Sequence, residues 1–272
     1  MEIHFTKMHG NGNDFILVDE YETIVIPDEM KAEFAEIYCN RRFGIGGDGV
    51  LFLSRSEEAD LGMRLFQPDG SEAEMCGNGI RCLAKYAYDQ GYVRKSCTVK
   101  TLSGTIPVEC GYRDDAFFAR IRMPDPKFQR PEIPATGEGE YREEIGGSVV
   151  YAVNTGVPHA VIFVENLDEV DIGSLAPPVR HHQTFPKGAN VDFVQQAGKD
   201  MLRVRTFERG VEGETLSCGT GATAAAAVAH HLGLVGPRVE VETEGGPLAI
   251  SFEDGTWMEG HATTVFSGAI TF

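Results

Sequence analysis

Two Cys-Gly-x-Gly motifs, one in each half of the chain, constrain the fold more than any other feature of this sequence. Cys76 and Cys218 open these motifs and lie 142 positions apart, about half of the 272 residues. Each motif is followed by a segment of helix-forming composition, 80–90 or 222–232, that stops at a glycine. The match continues without an insertion or deletion into short alternating runs that predict strands. The sequence therefore predicts a duplicated α/β unit with pseudo-twofold symmetry.

The apolar pattern after each cysteine predicts how each unit is built. Residues 222–228 are apolar on every side, and a helix with that pattern is a buried one. Most strand-like runs are short and bounded by Gly, Pro or Asp. We therefore predict a fold of the α/β (α+β) class, in which two similar domains each wrap a mixed sheet around a central helix. The segment 123–147, rich in proline and glycine, is the predicted linker.

Charge and hydropathy limit the classes of partner. The chain has 24 Lys and Arg against 41 Asp and Glu, a net charge of −17, which disfavours nucleic acid and anionic membrane surfaces. The beginning of the chain lacks an apolar signal segment, and the most apolar stretch, 222–229, is too short to span a bilayer. We expect a cytoplasmic protein that binds neither nucleic acid nor membrane. Six sparse cysteines without a CxxC pair predict free thiols.

The two motif cysteines carry the chemistry that the sequence predicts. A cysteine at the first turn of a buried helix lies at the positive end of the helix dipole, so we expect a lowered pKa for Cys76 and Cys218. The adjacent glycines let a ligand carboxylate approach the backbone N–H groups. The pseudo-twofold predicts that the two cysteines face each other across an interdomain cleft. A thiol and a thiolate on opposite faces of one carbon are suited to racemisation or epimerisation.

The remaining cysteines and histidines receive structural interpretations. His159 alone is typical of a core histidine, and the histidines lack the spacing of metal ligands, so no metal is predicted. Glu208 and Arg209, just before the second motif, are as consistent with ligand contact as with a surface ion pair. Four cysteines are predicted to be small buried hydrophobes, and two of them align with an apolar residue of the other half, Cys82 with Ala224 and Cys97 with Val239. The four are Cys39, Cys82, Cys97 and Cys110.

The motifs of the whole chain resemble those of the diaminopimelate epimerases. The two cysteine motifs, in this order and at this spacing, are specific to that family, whereas the first alone would not be. The matching segments are 8–15 (MHGNGNDF), 44–49 (GIGGDG), 69–82 (DGSEAEMCGNGIRC), 154–159 (NTGVPH), Asn190 with Val191, 208–210 (ERG) and 217–221 (SCGTG).

The resemblance implies a cofactor-independent enzyme that interconverts LL- and meso-diaminopimelate in lysine biosynthesis. Cys76 and Cys218 would alternate as base and acid, with His159 and Glu208 beside the reacting carbon. The positions that would bind the substrate are Asn13, Gln67, Gly77, Asn78, Asn190, Glu208, Arg209, Gly219 and Thr220.

The resemblance also implies a domain division and an assembly. One domain would comprise residues 1–121 plus 263–272 and carry Cys76, and the other would comprise residues 122–262 and carry Cys218. The final strand would return to the first domain. A homodimer is the expected assembly.

Three positions depart from the family pattern. Gln67 stands where the family usually has Asn, Val157 where some members have Asn, and Gly49 where some have Gln. Gln can present the same amide at longer reach, whereas Val can neither donate nor accept a hydrogen bond. These changes concern specificity at the distal amino-acid end of the substrate more than the chemistry.

Two other functions fit the same residues. A proline or hydroxyproline racemase-like enzyme would use the same two thiols, and a substrate panel distinguishes it. A non-catalytic amino-acid-binding protein would have thiols of ordinary reactivity, which slow and unselective alkylation would reveal.

Overall fold

A computed structural model describes residues 1–272, which divide into two units. Unit 1 comprises Met1–Arg122 and Glu259–Phe272, and unit 2 comprises Met123–Met258. No helix in the structure is both long enough and apolar enough to cross a membrane.

Unit 1 is a mixed sheet with one long helix. Its β2–β3 and β4–β6 pairs are parallel, and its other strand pairs with a defined register are antiparallel. The elements are β1 (Glu2–Gly10), β2 (Asn13–Glu20), a 3-10 turn (Asp28–Met30), α1 (Lys31–Tyr38), β3 (Gly49–Ser54), β4 (Leu61–Phe66), β5 (Glu72–Ala73), α2 (Gly77–Asp89), β6 (Ser96–Thr101), β7 (Gly104–Arg113) and β8 (Ala116–Arg122).

Unit 2 repeats this plan. Its parallel pairs are β11–β12 and β13–β15, and its other pairs are antiparallel. The elements are β9 (Arg142–Ile145), β10 (Ser148–Asn154), β11 (Pro158–Phe163), a 3-10 turn (Leu167–Glu169), α3 (Ile172–Arg180), β12 (Asn190–Gly198), β13 (Met201–Glu208), β14 (Gly213–Thr215), α4 (Gly219–His231), β15 (Arg238–Thr243) and β16 (Gly246–Ser251). Two more strands follow along the chain, β17 (Trp257–His261) and β18 (Thr263–Thr271). The strand β18 belongs to unit 1 and pairs with β1.

The strand pairing confirms the predicted fold class of two similar units. The series β1 to β7 in unit 1 and the series β10 to β16 in unit 2 have the same sequence of parallel and antiparallel pairs. The helices α2 and α4 each contain 13 residues and begin at positions 142 apart. The repeat in the sequence is therefore a repeat of the fold.

The long helix of each unit lies in the core of its own sheet. In α4 every residue from Gly221 to Ala229 is buried, and in α2 every residue from Asn78 to Lys85 is buried. The helix α2 contacts β1 to β4, β7 and β8, and α4 contacts β10 to β13, β15 and β16. The predicted wrapping of a sheet around each helix is confirmed.

The prediction that residues 123–147 form a linker is wrong. Ile133, Tyr141 and Ile145 of this segment are buried in the core of unit 2, and β9 lies within it. Its glycines supply turns with positive φ, such as Gly137 at 98°. Turns and core side chains alternate along this segment, so its proline- and glycine-rich composition belongs to an irregular but packed segment.

Both long helices end in a glycine with left-handed backbone. Gly91 has φ 77° and Gly233 has φ 72°, and the next residue donates its N–H back to the helix, Tyr92 to Ala87 O and Leu234 to Ala229 O, at 2.9 Å each. This is the Schellman arrangement that glycine permits. It confirms that each helix stops where the sequence predicted.

We expect Gly91→Ala and Gly233→Ala each to destabilise the protein by about 1 kcal/mol, since an added Cβ meets no neighbour and only the left-handed backbone is strained. The melting temperature should fall by about 2–4 °C in each variant. Gly111→Ala is the control, because Gly111 lies in β7 outside the left-handed region, where its Cβ meets only ordinary contacts. A loss in the control equal to that in the two variants would contradict the backbone explanation.

Candidate active site

Cys76 occupies the N-cap position of α2. Its backbone is extended, with φ −144° and ψ 117°, and its side chain is half-buried. The first backbone N–H groups of a helix have no partner inside the helix, so Gly77 and Asn78 offer donors beside the sulfur. Gly79 keeps this turn close to the sheet, because a Cβ there would lie 3.1 Å from Leu51 Cδ2. Unit 1 therefore presents a thiol next to unpaired backbone donors.

Asn13 connects Cys76 to the sheet. Its side-chain Oδ1 accepts hydrogen bonds from Cys76 Sγ at 3.5 Å and from Asn78 Nδ2 at 3.2 Å. Its Nδ2 donates to Asp48 Oδ2 at 2.7 Å, which fixes the orientation of the amide. Two predicted substrate ligands, Asn13 and Asn78, thus lie together beside the first cysteine.

A charged cluster holds Asp48 and the start of β2. Arg41 binds Asp14 at 2.6 Å and Asp48 at 2.7 Å, and Lys7 binds Asp14 at 2.6 Å. Burial alone would raise the pKa of Asp14, but hydrogen bonds from Arg41 and Lys7 outweigh it and lower the pKa to about 2. Asp14 therefore stays ionised at neutral pH, and Asp48, which Arg41 binds, holds the Asn13 amide in place.

Arg81 is a buried cation in the second turn of α2. It is fully buried, and its Nη2 donates to Asn11 Oδ1 at 2.7 Å and to Asn78 Oδ1 at 2.8 Å. Burial lowers its pKa to about 10. Sequence reasoning missed Arg81 and Asp48, although a charged residue between Ile80 and Cys82 in an apolar helix was a signal.

Gln67 lies in the turn between β4 and β5. Its backbone N–H donates to Ser71 O at 2.8 Å, and its side-chain amide donates to Ser71 Oγ at 3.0 Å. The side chain is exposed. The structure therefore places Gln67 in this turn, outside the Asn13–Asn78 contacts of Cys76, and its role in binding stays a prediction.

Cys218 occupies the N-cap position of α4 in unit 2. Its backbone is again extended, with φ −118° and ψ 109°, and its side chain is half-buried. The sulfur lies 3.3 Å from Thr220 Oγ1. Gly219 and Thr220 supply the first backbone N–H groups of the helix, and Thr155 Oγ1 donates to Thr220 O at 2.9 Å. Unit 2 thus repeats the thiol beside helix donors.

His159 lies behind Thr220 in the core of unit 2. It is fully buried, with Nε2 2.9 Å from Thr220 Oγ1 and Nδ1 2.7 Å from Asp192 Oδ2. Thr206 Oγ1 donates to the other oxygen of Asp192 at 2.7 Å. The histidine is therefore buried, as its sequence context indicated, and it is also joined to the cysteine through Thr220. Sequence reasoning missed Asp192.

Asn190 joins His159 to the beginning of the Glu208–Arg209 turn. Its Oδ1 accepts from the backbone N–H of Arg209 at 2.7 Å, and its Nδ2 lies 3.3 Å from His159 Nε2. The Arg209 guanidinium lies 3.3 Å from Gly188 O. The structure therefore brings His159, Asn190, Arg209 and Thr220 into one set of contacts.

The expectation of a lowered pKa for Cys218 is wrong. Burial raises the pKa of the Cys218 thiol well above its ordinary range, and the carboxylates of Glu208 and Asp192 raise it further. The Thr220 hydroxyl and the Gly221 N–H oppose this rise without overcoming it. The helix dipole was only one of the fields at this sulfur, and the charges on β12 and β13 act against it. Cys218 is therefore a thiol at neutral pH in the free protein.

The four remaining cysteines confirm their structural interpretation. All four are free and buried, with no more than 6% of each residue exposed. Burial raises the pKa of Cys39 and of Cys82 to about 12. The partly exposed cysteines are Cys76 and Cys218.

Comparison with known proteins gives one family. The family model described as diaminopimelate epimerase matches residues 5–127 and 151–265. A diaminopimelate epimerase of Methanothrix thermoacetophila is 59% identical over 99% of this chain and 96% of that protein, and one of Methanocella arvoryzae is 54% identical over 99% and 97%. A solved structure of a phenazine biosynthesis protein of the PhzF family from Bacillus anthracis has the same fold, with a TM-score of 0.74, 18% identity and full coverage of both chains. This chain belongs to the diaminopimelate epimerase family.

Proposed function

We propose that this protein interconverts LL- and meso-diaminopimelate, as a step of lysine biosynthesis, by a two-thiol mechanism that needs no cofactor. One observation carries the proposal. Of the six cysteines, the two that are partly exposed cap equivalent buried helices 142 positions apart. The names of the close relatives supply the substrate.

The reaction moves one proton on each side of the α-carbon. A thiolate removes the α-proton, and the opposite thiol delivers its proton to the other face of the carbanion. The enzyme then holds its proton on the other sulfur, so the two cysteines exchange roles and no net charge is gained. Cys76 and Cys218 are the two sulfurs in this proposal.

The difficult part of this chemistry is the weak acidity of the α-carbon, so the site must stabilise the charge that develops. Backbone N–H groups at the helix starts, from Gly77, Asn78, Gly219 and Thr220, are suited to bind the α-carboxylate and the negative charge delocalised into it. Because both helices are buried in their sheets, these donors need no rearrangement at the moment of proton transfer. Fixed donors are the source of this kind of stabilisation.

The remaining predicted ligands provide charges for an amino acid. The Glu208 carboxylate is suited to the substrate ammonium, and the Arg209 guanidinium to a carboxylate. Gln67 offers an amide for the distal end. The homodimer and the cytoplasmic location stay predictions.

We expect purified, reduced protein to exchange the α-proton of LL-diaminopimelate with solvent and to form the meso isomer, with no added cofactor. Proton NMR in D₂O follows both changes. Cys76→Ala and Cys218→Ala should each reduce epimerisation by about 100-fold or more, because a general acid or base is lost. Exchange without inversion in one variant, with one isomer only, would identify which cysteine faces that isomer.

Cys39→Ala is the control for this experiment, because Cys39 is buried in the core of unit 1 and has no place in the reaction. Its turnover should match that of the unchanged protein once folding is verified by circular dichroism. Full turnover in Cys218→Ala would refute the two-thiol mechanism. Turnover of proline but not of diaminopimelate would identify a proline racemase instead.

The pH dependence of thiol labelling tests the charges around Cys218. Because the Glu208 carboxylate raises the pKa of Cys218, Glu208→Gln should lower it and shift the labelling curve to lower pH by about 0.5–1 unit. Iodoacetamide labelling of the Cys218 peptide, followed by mass spectrometry at several pH values, measures the shift. Glu240→Gln removes the same charge from an exposed position on β15 and should leave the curve in place. Equal shifts in both variants would mean that the pKa of the Cys218 thiol depends on the net charge of the protein and not on the position of the carboxylate.

A further inference from the structure

Arg81 is a buried cation whose hydrogen-bond partners are all neutral. The side chain is fully buried in α2, and its donors reach the oxygens of Asn11 at 2.7 Å, Asn78 at 2.8 Å and His261 at 3.2 Å. Its Nη1 has no partner. With a pKa of about 10, the guanidinium is positively charged at neutral pH. A buried ion is costly in free energy unless an opposite charge compensates it, and no carboxylate does so here.

The titratable groups that lie close to the Arg81 charge are two thiols, those of Cys76 and Cys82. Cys82 is fully buried, and burial raises its pKa to about 12, so it stays a neutral thiol. Cys76 is half-buried at the N-cap of the same helix, where the backbone N–H groups also favour a negative charge. Cys76 is therefore the group that can become the counter-ion of Arg81.

Hydrogen bonds join the guanidinium to the sulfur through two amides. A guanidinium only donates, so the Asn78 oxygen faces Arg81 and the Asn78 NH₂ group faces Asn13 Oδ1 at 3.2 Å. Asp48 accepts from the Asn13 NH₂ group, which leaves Asn13 Oδ1 facing Cys76 Sγ at 3.5 Å. This oxygen favours the thiol form of Cys76 only slightly, because S–H is a weak donor. The buried charge of Arg81 acts in the opposite direction.

Most other charged groups on the elements around α2 are paired with an opposite charge. Glu74, just before α2, is exposed to solvent, which screens its charge. His9 Nδ1 on β1 accepts from the Gly12 N–H at 3.4 Å, so this nitrogen carries no proton. Arg81 differs from all of these as a buried charge without an opposite one. The pairs are Lys7 and Arg41 with Asp14 and Asp48, Arg64 with Glu72, Lys85 with Asp89, Arg113 with Glu259, and Arg120 with Glu109.

Unit 2 has the opposite charges at the equivalent positions. The residue 142 positions after Arg81 is Thr223, which is neutral. The two carboxylates that raise the pKa of Cys218 have neutral counterparts in unit 1. By strand register these counterparts are Leu51 for Asp192 and Gln67 for Glu208. The surroundings therefore favour a negative sulfur in unit 1 and a neutral one in unit 2.

From this geometry we propose that Arg81 is a positioning residue whose buried charge holds Cys76 as the thiolate of the substrate-free protein, while Cys218 is the thiol. The Cys76 proton goes to solvent when the thiolate forms. This assignment rests on the proposed function, in which one sulfur must be without its proton when the substrate arrives. An isomer whose α-proton faces Cys76 then meets a base that is ready to react. The opposite isomer reacts from the form in which Cys76 holds the proton.

Iodoacetamide labelling of the unchanged, substrate-free protein is the first test. Only the thiolate reacts, and the reagent is neutral, so at about pH 7 the Cys76 peptide should be labelled at least about tenfold faster than the Cys218 peptide. Mass spectrometry of both peptides over a range of pH values gives a labelling curve for each sulfur. A Cys218 curve that lies at lower pH than the Cys76 curve would overturn the proposal.

Two substitutions separate the charge of Arg81 from its hydrogen bonds. Arg81→Gln keeps an NH₂ donor but removes the charge, so the Cys76 curve should move to higher pH by about 1 unit. Arg81→Lys keeps the charge and should leave the curve within about 0.3 unit of the unchanged protein. The Cys218 curve should move in neither variant. Equal Cys76 curves in the Gln and Lys variants would mean that Arg81 acts only through its hydrogen bonds, and the proposal would be wrong.

Two further variants protect the test against misfolding. Arg81→Met replaces the cation with an unbranched apolar side chain, which a buried position tolerates, and it should move the Cys76 curve as Arg81→Gln does. Lys85→Gln removes the same charge one turn further along α2, where Asp89 balances it at 2.7 Å, and it should leave the curve in place. Circular dichroism verifies the folding of each variant. A shift in Lys85→Gln as large as that in Arg81→Met would contradict a specific role for Arg81.

The labelling experiments need no turnover, so they separate this proposal from the proposed function. A protein that fails to epimerise diaminopimelate but shows the expected curves would refute the proposed function alone. A protein that epimerises diaminopimelate, but whose Cys76 curve does not move in Arg81→Gln, would refute the role of Arg81 alone.

Discussion

The burial of one helix in each unit determines the rest of the site. A 13-residue helix that is surrounded by its own sheet cannot rotate or slide without opening gaps in the core, so its first turn is fixed in space. Helix starts are usually capped by Ser, Thr, Asp or Asn, whose oxygen accepts a backbone N–H. Here the capping residue is a cysteine, and neither cysteine side chain forms a capping hydrogen bond. Donors that a conventional cap would satisfy are left for a ligand next to the sulfur.

The same burial makes a charge in or next to these helices costly in free energy. Each unit nevertheless holds one such charge, positive in unit 1 and negative in unit 2. Arg81 lies fully buried in α2, where amide oxygens accept its hydrogen bonds. The position equivalent to Arg81 in α4 is Thr223, whose hydroxyl donates to Gly219 O at 2.8 Å. Asp192 is the fully buried charge of unit 2 at this level, and His159 and Thr206 bond its two oxygens. A buried charge persists only when it is hydrogen-bonded, and hydrogen bonds reach both oxygens of Asp192 and both Nε and Nη2 of Arg81, whereas Arg81 Nη1 has no partner.

Features that depend on local periodicity could be predicted from the sequence. Features that depend on the pairing of strands distant in the sequence could not. The limits of α2 and α4, their burial and their glycine stops all follow from one repeated pattern of apolar residues and glycines. The pKa of Cys218 did not follow, because the helix dipole can be read from the motif but the effects of Glu208 and Asp192 require the strand pairing. Asp192 was also overlooked because one acidic residue within the run 190–194 has no local signature. Its position between Val191 and Phe193 on a buried strand was the available signal.

In the proposed two-thiol reaction, which must run in both directions, the unequal surroundings of the two sulfurs would have a chemical reason. A two-thiol epimerase works only while one sulfur holds a proton and the other does not. If both sulfurs had the same surroundings, the two singly protonated forms would be equally populated. The fraction of inactive protein, with a proton on both sulfurs or on neither, would then depend on how strongly the two titrations are coupled. A duplicated scaffold supplies equal donors for a substrate that is inverted about its α-carbon, whereas unequal charges behind the helices favour one singly protonated form. In the proposed mechanism, symmetry in the backbone and asymmetry in the buried side chains therefore serve different parts of the same reaction.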